Sequence, residues 1–311
     1  MNLHPDIRFA LSCYPIPQRT LLRPVLARLG INARQGRSHL TGDGFPFELS
    51  FTTADDDLRW TCELDSDATA PERLHRTRAV YGALGGEDCG DGTSPRRFGA
   101  WLGGRQPRDG TASYKLYLDP GPPPPGAPLP PDDLAGFHPS LRMIGLGPAA
   151  GRREYYYRFQ SANTHLLRRL AATAGLAHRV RDLMGILRDT SGRTPEELLM
   201  RGSLGVSYAF AHDAAAPQMT LYFFARTLWG SDAAIRRGFL QLLDDAGRDI
   251  APYATVTEPL RDHRRSCTWH GMAALTLTDT HHGWGIGLRP IADPTAQPYQ
   301  RIDPCPTPLP C

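Results

Sequence analysis

Phe45-Pro-Phe-Glu-Leu-Ser-Phe51, then Thr52-Thr-Ala-Asp-Asp-Asp57, then Leu58-Arg-Trp-Thr-Cys-Glu-Leu64, reads as an antiparallel hairpin. Apolar and polar residues alternate on both sides of a turn made of small and acidic residues, the pattern of two half-buried strands. Because successive strand side chains take opposite faces, Glu48 points away from its neighbours Phe47 and Leu49.

Four more strand pairs follow: residues 98–102 with 112–118, 141–146 with 153–159, 204–211 with 218–226, and 268–277 with 283–288. Helical stretches stand between them. One opens at Thr69 or Pro71, carries Leu74, Val80 and Leu84, and stops at Gly85-Gly86. Leu166, Leu167, Leu170 and Ala171 mark another at helical spacing, and Ser231 is the expected N-cap of a third, which runs to about residue 246. Residues 120–131 form a polyproline-type connector.

Ten antiparallel strands suffice to close a barrel, and closure removes both sheet edges. The expected fold is α+β: a ten-stranded antiparallel β-barrel surrounded by α-helices, in up-and-down order and built as ααββ repeats. Helices layered on an open sheet are the alternative with the same strand count. Residues 1–290 are expected to form one barrel domain, and residues 291–311 a Pro-rich tail.

The 311 residues are 41% hydrophobic and 22% charged, enough for a single large core. A formal net charge of +3 lends no support to a nucleic-acid partner. No segment approaches the roughly 20 uninterrupted apolar residues that span a bilayer, and the start lacks a secretory signal pattern. Cys13, Cys62, Cys89, Cys267, Cys305 and Cys311 have no metal-type spacing and suit the reduced thiols of a cytoplasmic protein. Cys305 and Cys311 lie in the Pro-rich tail, where pairing and a flexible end with free thiols are the two alternatives.

Within Ser113-Tyr-Lys-Leu-Tyr-Leu-Asp-Pro120, Lys115 and Tyr117 must point the same way. Aimed into a lumen, they make an anion site on an aromatic wall. In Arg153-Glu-Tyr-Tyr-Tyr157, Arg153, Tyr155 and Tyr157 share a face; a slip of one residue places Arg152, Glu154 and Tyr156 there instead. Asp55-Asp56-Asp57 reads as a turn, His281-His282 lacks a third metal ligand, and the Gly-rich residues 99–110 open no phosphate-binding helix.

These motifs resemble those of the ABBA prenyltransferases, whose ten-stranded barrel (the PT barrel) lies inside a ring of helices. More narrowly, the chain is similar to dimethylallyltryptophan synthase-type indole prenyltransferases and cyanobactin peptide prenyltransferases, over residues 45–290. The resemblance implies transfer of a dimethylallyl or geranyl group from its diphosphate to a Trp or Tyr side chain of a ribosomal, cyclic peptide. A free indole or other small aromatic is the alternative acceptor, and a non-catalytic isoprenoid-binding barrel is the rival class.

Pro46 to Phe51 resembles the family's first strand and implies that Glu48 is the general acid/base. Leu58 to Glu63 resembles the second and implies that Arg59 binds diphosphate, with pairing to the Asp55–Asp57 turn as the alternative. Lys115 and Tyr117 match a lysine-x-tyrosine motif. Arg153 to Tyr157 stands where the family shows arginine-x-lysine-x-tyrosine, with Tyr155 at the lysine position. The implied diphosphate site is therefore Arg59, Lys115 and Arg153, and the implied carbocation shield is Tyr117, Tyr155, Tyr157, Tyr222 and Trp284. No cofactor is implied as required; the missing lysine leaves room for Mg2+ assistance. The expected assembly is a monomer.

Overall fold

The computed structural model describes residues 4–15, 18, 20, 26, 38–87, 98–108, 110–120, 132–147, 153–210, 218–265 and 268–293. Most of the proline-rich connector, Arg152, four of the cysteines (Cys89, Cys267, Cys305 and Cys311) and the tail beyond residue 293 lie outside these.

The strands are β1 (Phe47–Thr52), β2 (Leu58–Cys62), β3 (Ala100–Gln106), β4 (Ser113–Leu118), β5 (Ser140–Leu146), β6 (Arg153–Phe159), β7 (Leu204–Phe210), β8 (Gln218–Phe224), β9 (His270–Thr278) and β10 (His282–Leu288). They close into one barrel in the order β1-β10-β9-β8-β7-β6-β5-β4-β3-β2. β1 pairs antiparallel with both β2 and β10, which rules out the open sheet. Each strand bonds its sequence neighbours, so the up-and-down order is set by five hairpins joined by longer segments, most of them helical.

The described helices are α1 (Pro5–Ser12), α2 (Ala70–Ala83), α3 (Thr164–Thr173), α4 (Val180–Ser191), α5 (Pro195–Leu199), α6 (Ala225–Trp229), α7 (Asp232–Asp245) and α8 (Ala251–Val256). α2 begins with a capping box between Thr69 and Glu72. Ser231 is the N-cap residue of α7, as expected, but its side chain makes no capping bond. Instead the buried Asp232 carboxylate accepts the backbone N–H groups of Trp269 and His270 and contacts the His263 and His270 imidazoles at 2.7 and 2.6 Å. That network ties the start of α7 to the start of β9.

The core lies between the outer face of the barrel and the helices. Phe47, Leu49 and Phe51 of β1 are buried there, as are Leu166, Leu167 and Leu170 of α3 and Phe239 of α7. Each such side chain contributes roughly 1.5–3 kcal/mol by leaving water. Among the described residues, no helix is long and apolar enough to cross a membrane.

Candidate active site

On β1 burial alternates: Phe47, Leu49 and Phe51 face the helices, and Glu48, Ser50 and Thr52 face the lumen. Glu48 pairs across with Thr61 of β2. Gly271 and Gly287 flank its carboxylate so closely that a Cβ on either would come within 2.8 and 2.6 Å of it. These glycines form the slot that holds Glu48. Its carboxylate makes no hydrogen bond or ion pair among the described residues, and burial pushes its pKa up to about 7.

The opposite wall is rich in partners. Lys115 Nζ pairs with the Glu154 carboxylate and donates to the Tyr156 hydroxyl at 2.9 Å. It lies 5.1 and 5.3 Å from the ring centres of Tyr117 and Tyr156. The Tyr156 ring sits 5.9 Å from Tyr117 and 5.8 Å from Tyr222, so the three phenols form a continuous surface. Ser207 donates to Glu154 at 2.6 Å and meets the Tyr222 hydroxyl at 3.1 Å. Burial tends to raise the Glu154 pKa, but the Lys115 ammonium and hydrogen bonds from Lys115, Ser207 and Tyr156 hold it below the ordinary value. Burial, and then the nearby Glu154 charge, pushes the Tyr156 and Tyr222 hydroxyls far above theirs, so both stay neutral phenols.

Space along this wall also comes from glycine. A Cβ at Gly145 would meet Lys115 Cε at 2.5 Å, and one at Gly103 would meet the Tyr117 ring at 2.8 Å. Lys115 is also the chain's only lysine: every other member of its 35 Lys and Arg residues is arginine. The slot between two phenol rings admits a slim ammonium stem more readily than a planar guanidinium.

At the end of the barrel where β1 meets β2, Arg59 pairs with Asp55 at 2.5 Å, the alternative allowed by the sequence. Arg105, which lies across from Arg59, pairs with Asp57 and reaches Asp55 at 3.2 Å. Both guanidiniums stay on the inward face while their charges are held by the turn.

The structure brings Glu48, Arg59, Lys115, Tyr117 and Tyr222 to the lumen, but not Arg153, Tyr155, Tyr157 or Trp284. β6 takes the slipped register, with Tyr156 opposite Ser207 and Tyr157 opposite Val206, and a bulge in β5 between Leu141 and Met143 accompanies it. Glu154, Tyr156 and Arg158 therefore face inward. Arg153 lies on the other face, Tyr155 packs on the core, and Tyr157 is only 5% exposed. Trp284 also faces the helices, 6.0 Å from Trp229 of α6, because the inward positions of β10 are Gly283, Gly285 and Gly287.

Sequence reasoning missed Arg105 and Ser207, and the inward Glu154 belongs to the alternative register that it left open. Arg105 had a signal, since Trp101, Gly103 and Arg105 alternate opposite Tyr117, Lys115 and Ser113. The Gly283-x-Gly285-x-Gly287 alternation equally marked the lumen face of β10. Among the described residues, no group of three or more His, Cys, Asp or Glu side chains is placed to hold a metal ion.

No protein-family model matches the chain, and no curated protein matches its sequence. Solved structures do match. The 6-dimethylallyltryptophan synthase from Micromonospora olivasterospora, in complex with DMASPP and Trp, superposes with a TM-score of 0.65 at 20% identity, over 91% of this chain and 95% of that one. The 5-dimethylallyltryptophan synthase from Streptomyces coelicolor gives 0.66 at 17% identity, over 91% and 95%. AnaPT from Neosartorya fischeri gives 0.63 at 17%, over 91% of each chain. The chain thus has the ABBA-type barrel fold of the dimethylallyltryptophan synthase-type aromatic prenyltransferases.

Proposed function

We propose that this chain is an aromatic prenyltransferase. The observation that carries the reading is Glu48: a carboxylate with no partner among the described residues and its pKa pushed up to about 7, facing a lumen whose far wall is Lys115 among three tyrosines. Similar structures of this fold include a complex with DMASPP and Trp, which supports the same substrate classes here.

In this reading the allylic C–O bond of dimethylallyl or geranyl diphosphate breaks, and its electron pair leaves on the diphosphate oxygen. Lys115, Arg59 and Arg105 offset the charge of the departing group, each exchanging its carboxylate partner for phosphate oxygens. Tyr117, Tyr156 and Tyr222 present π faces to the allylic cation and keep water away from it. The acceptor ring supplies two π electrons to form the new C–C bond. Glu48 then removes the ring proton and restores aromaticity, a task suited to a base with a pKa near 7.

The acceptor is an electron-rich indole or phenol. The side-chain-free positions Gly283 and Gly285 leave room further along the same strand as Gly287 for one carried on a peptide as well as for a free indole. Incubating the protein with dimethylallyl or geranyl diphosphate and a panel of indoles, tyrosine and cyclic peptides, read by mass, is the test. The expected result is one isoprene unit added to at least one acceptor. Binding of the diphosphate with no acceptor modified would leave an isoprenoid-binding barrel and defeat the enzyme reading.

A further inference from the structure

β9 and β10 fall out of step at one place, and that place is the wall of the Glu48 slot. His270 pairs with Leu288 and Ala273 with Ile286, so Gly271 and Met272 of β9 together oppose Gly287 of β10. Two residues against one make a β-bulge, which bends its strand and re-aims what it carries. Here the bulge brings Gly271 up to Glu48, where a Cβ on Gly271 would lie 2.8 Å from Oε2. A bulge interrupts the regular ladder, so its shape has to be fixed from outside the sheet.

The fixing lies directly before it. The Asp232 carboxylate, wholly buried at the start of α7, accepts the backbone N–H groups of Trp269 at 3.1 Å and His270 at 3.2 Å. It also meets the Nδ1 atoms of His270 at 2.6 Å and His263 at 2.7 Å. An ionised carboxylate only accepts, so His270 carries a proton on Nδ1, and its neutral ring takes the Tyr253 hydroxyl on Nε2 at 2.9 Å. Burial tends to raise the Asp232 pKa, but the bonds from His270 and Trp269 hold it below the ordinary value and keep it a charged acceptor. Arg236, whose charge also reaches Tyr253, is itself bonded to Thr257 and Glu258. The Tyr253 ring in turn sits edge-on to Phe51, 5.0 Å away on the outer face of β1. From the helix side, the chain Asp232–His270–Tyr253 thus grips β9 by its backbone and touches the strand that carries Glu48.

We propose that Asp232 is a positioning residue for Glu48: by pinning Trp269 and His270 it holds the β9 bulge whose Gly271 closes the carboxylate slot against water. The proposal rests on the prenyl-transfer reading only for what Glu48 does in the slot, and not for how the slot is held. Loosening the bulge lets water reach the carboxylate, which returns Glu48 toward the behaviour of an ordinary glutamate.

Asp232→Asn keeps the volume of the side chain but leaves one amide oxygen where two oxygens accepted from two rings and two backbone groups. The titration midpoint of Glu48 is read by NMR on protein with isotope-labelled glutamate carboxyls, the signal being assigned by its loss in Glu48→Gln. The midpoint should fall from about 7 by about one pH unit in Asp232→Asn. The acid limb of kcat/KM should move with it, and kcat should drop about ten- to a hundredfold, the scale of a small misplacement. The KM for dimethylallyl diphosphate should stay unchanged, since Arg59, Arg105 and Lys115 stand on β2, β3 and β4. Tyr253→Phe, which keeps every bond of Asp232 and removes only the outer support of His270, should move the midpoint the same way by a smaller step. A midpoint fixed at about 7 in whichever of the two variants folds overturns the proposal, even where the melting temperature drops, because that is a structural role alone. A midpoint that falls in Asp232→Asn, with no acceptor modified by any form of the protein, keeps the clamp and sinks the transfer reading. Product formed with an unmoved midpoint sinks the clamp and keeps the transfer.

Discussion

Glu48 and Glu154 are two carboxylates in one lumen, on strands five apart in either direction, and their surroundings treat them oppositely. Glu48 sits in a glycine slot with no partner among the described residues, and burial raises its pKa to about 7. Glu154 is equally desolvated, yet Lys115, Ser207 and Tyr156 hold its pKa below the ordinary value. Desolvation is common to both, so it is the presence or absence of a partner that divides them. A carboxylate poised near neutrality can exchange a proton; one locked to an ammonium can only position it.

The widest gap between the two is expected in turnover. Glu48→Gln should lower kcat by about 10²- to 10⁴-fold, the range for a general base, with donor affinity unchanged by calorimetry. A kcat loss no larger than that of Glu154→Gln would erase the distinction.

Stability should run the other way. A carboxyl whose pKa is raised in the folded state favours the protonated form, so its ionisation costs stability as the pH rises from the unfolded value toward about 7. At about 1.4 kcal/mol per unit, the penalty at pH 8 approaches about 3 kcal/mol, less whatever lumen water screens. Glu48→Gln should therefore raise the melting temperature at pH 8 and leave it unchanged at pH 4. Equal effects at both pH values would place the carboxylate in ordinary solvation. Glu154 has the opposite sign: its stabilising contribution is present above its unfolded pKa and is lost as the pH falls through its lowered folded value.

A third measurement sharpens the same contrast. kcat/KM should climb about tenfold per pH unit below about 7 and level off above it, reporting Glu48 as the base. An acid limb at the pH of an unperturbed carboxylate would assign the base elsewhere. The smallest effect belongs to Glu154: its Gln variant frees Lys115 for the diphosphate and should tighten donor binding several-fold, on the order of 1 kcal/mol. Weaker donor binding would show that Glu154 aims Lys115 more than it competes for it.

The fold was largely legible because hairpin turns and alternation are local signals. The residues 141–146 and 153–159 pair and the residues 204–211 and 218–226 pair match β5–β6 and β7–β8 to within two residues at each end. Two inward registers were misread, for the same reason. On β6 charges and aromatics occupy both faces, so period two offers no preference, and pairing with β7 decides which face is inside. On β10 an aromatic was expected to line an aromatic lumen, but Trp284 packs on Trp229 and the lumen received glycines. The inward faces of Glu48, Lys115 and Tyr117 were legible because apolar residues on the opposite face of their strands fix the register.

The solitary lysine has a practical side. Apart from the amino terminus, an amine-selective reagent finds one side-chain target in all 311 residues, and that target lies within the barrel, with a quarter of its side chain accessible. Reductive methylation would act as a spectroscopic window on the interior, giving a single isotopic methyl signal whose shift registers whatever enters the lumen.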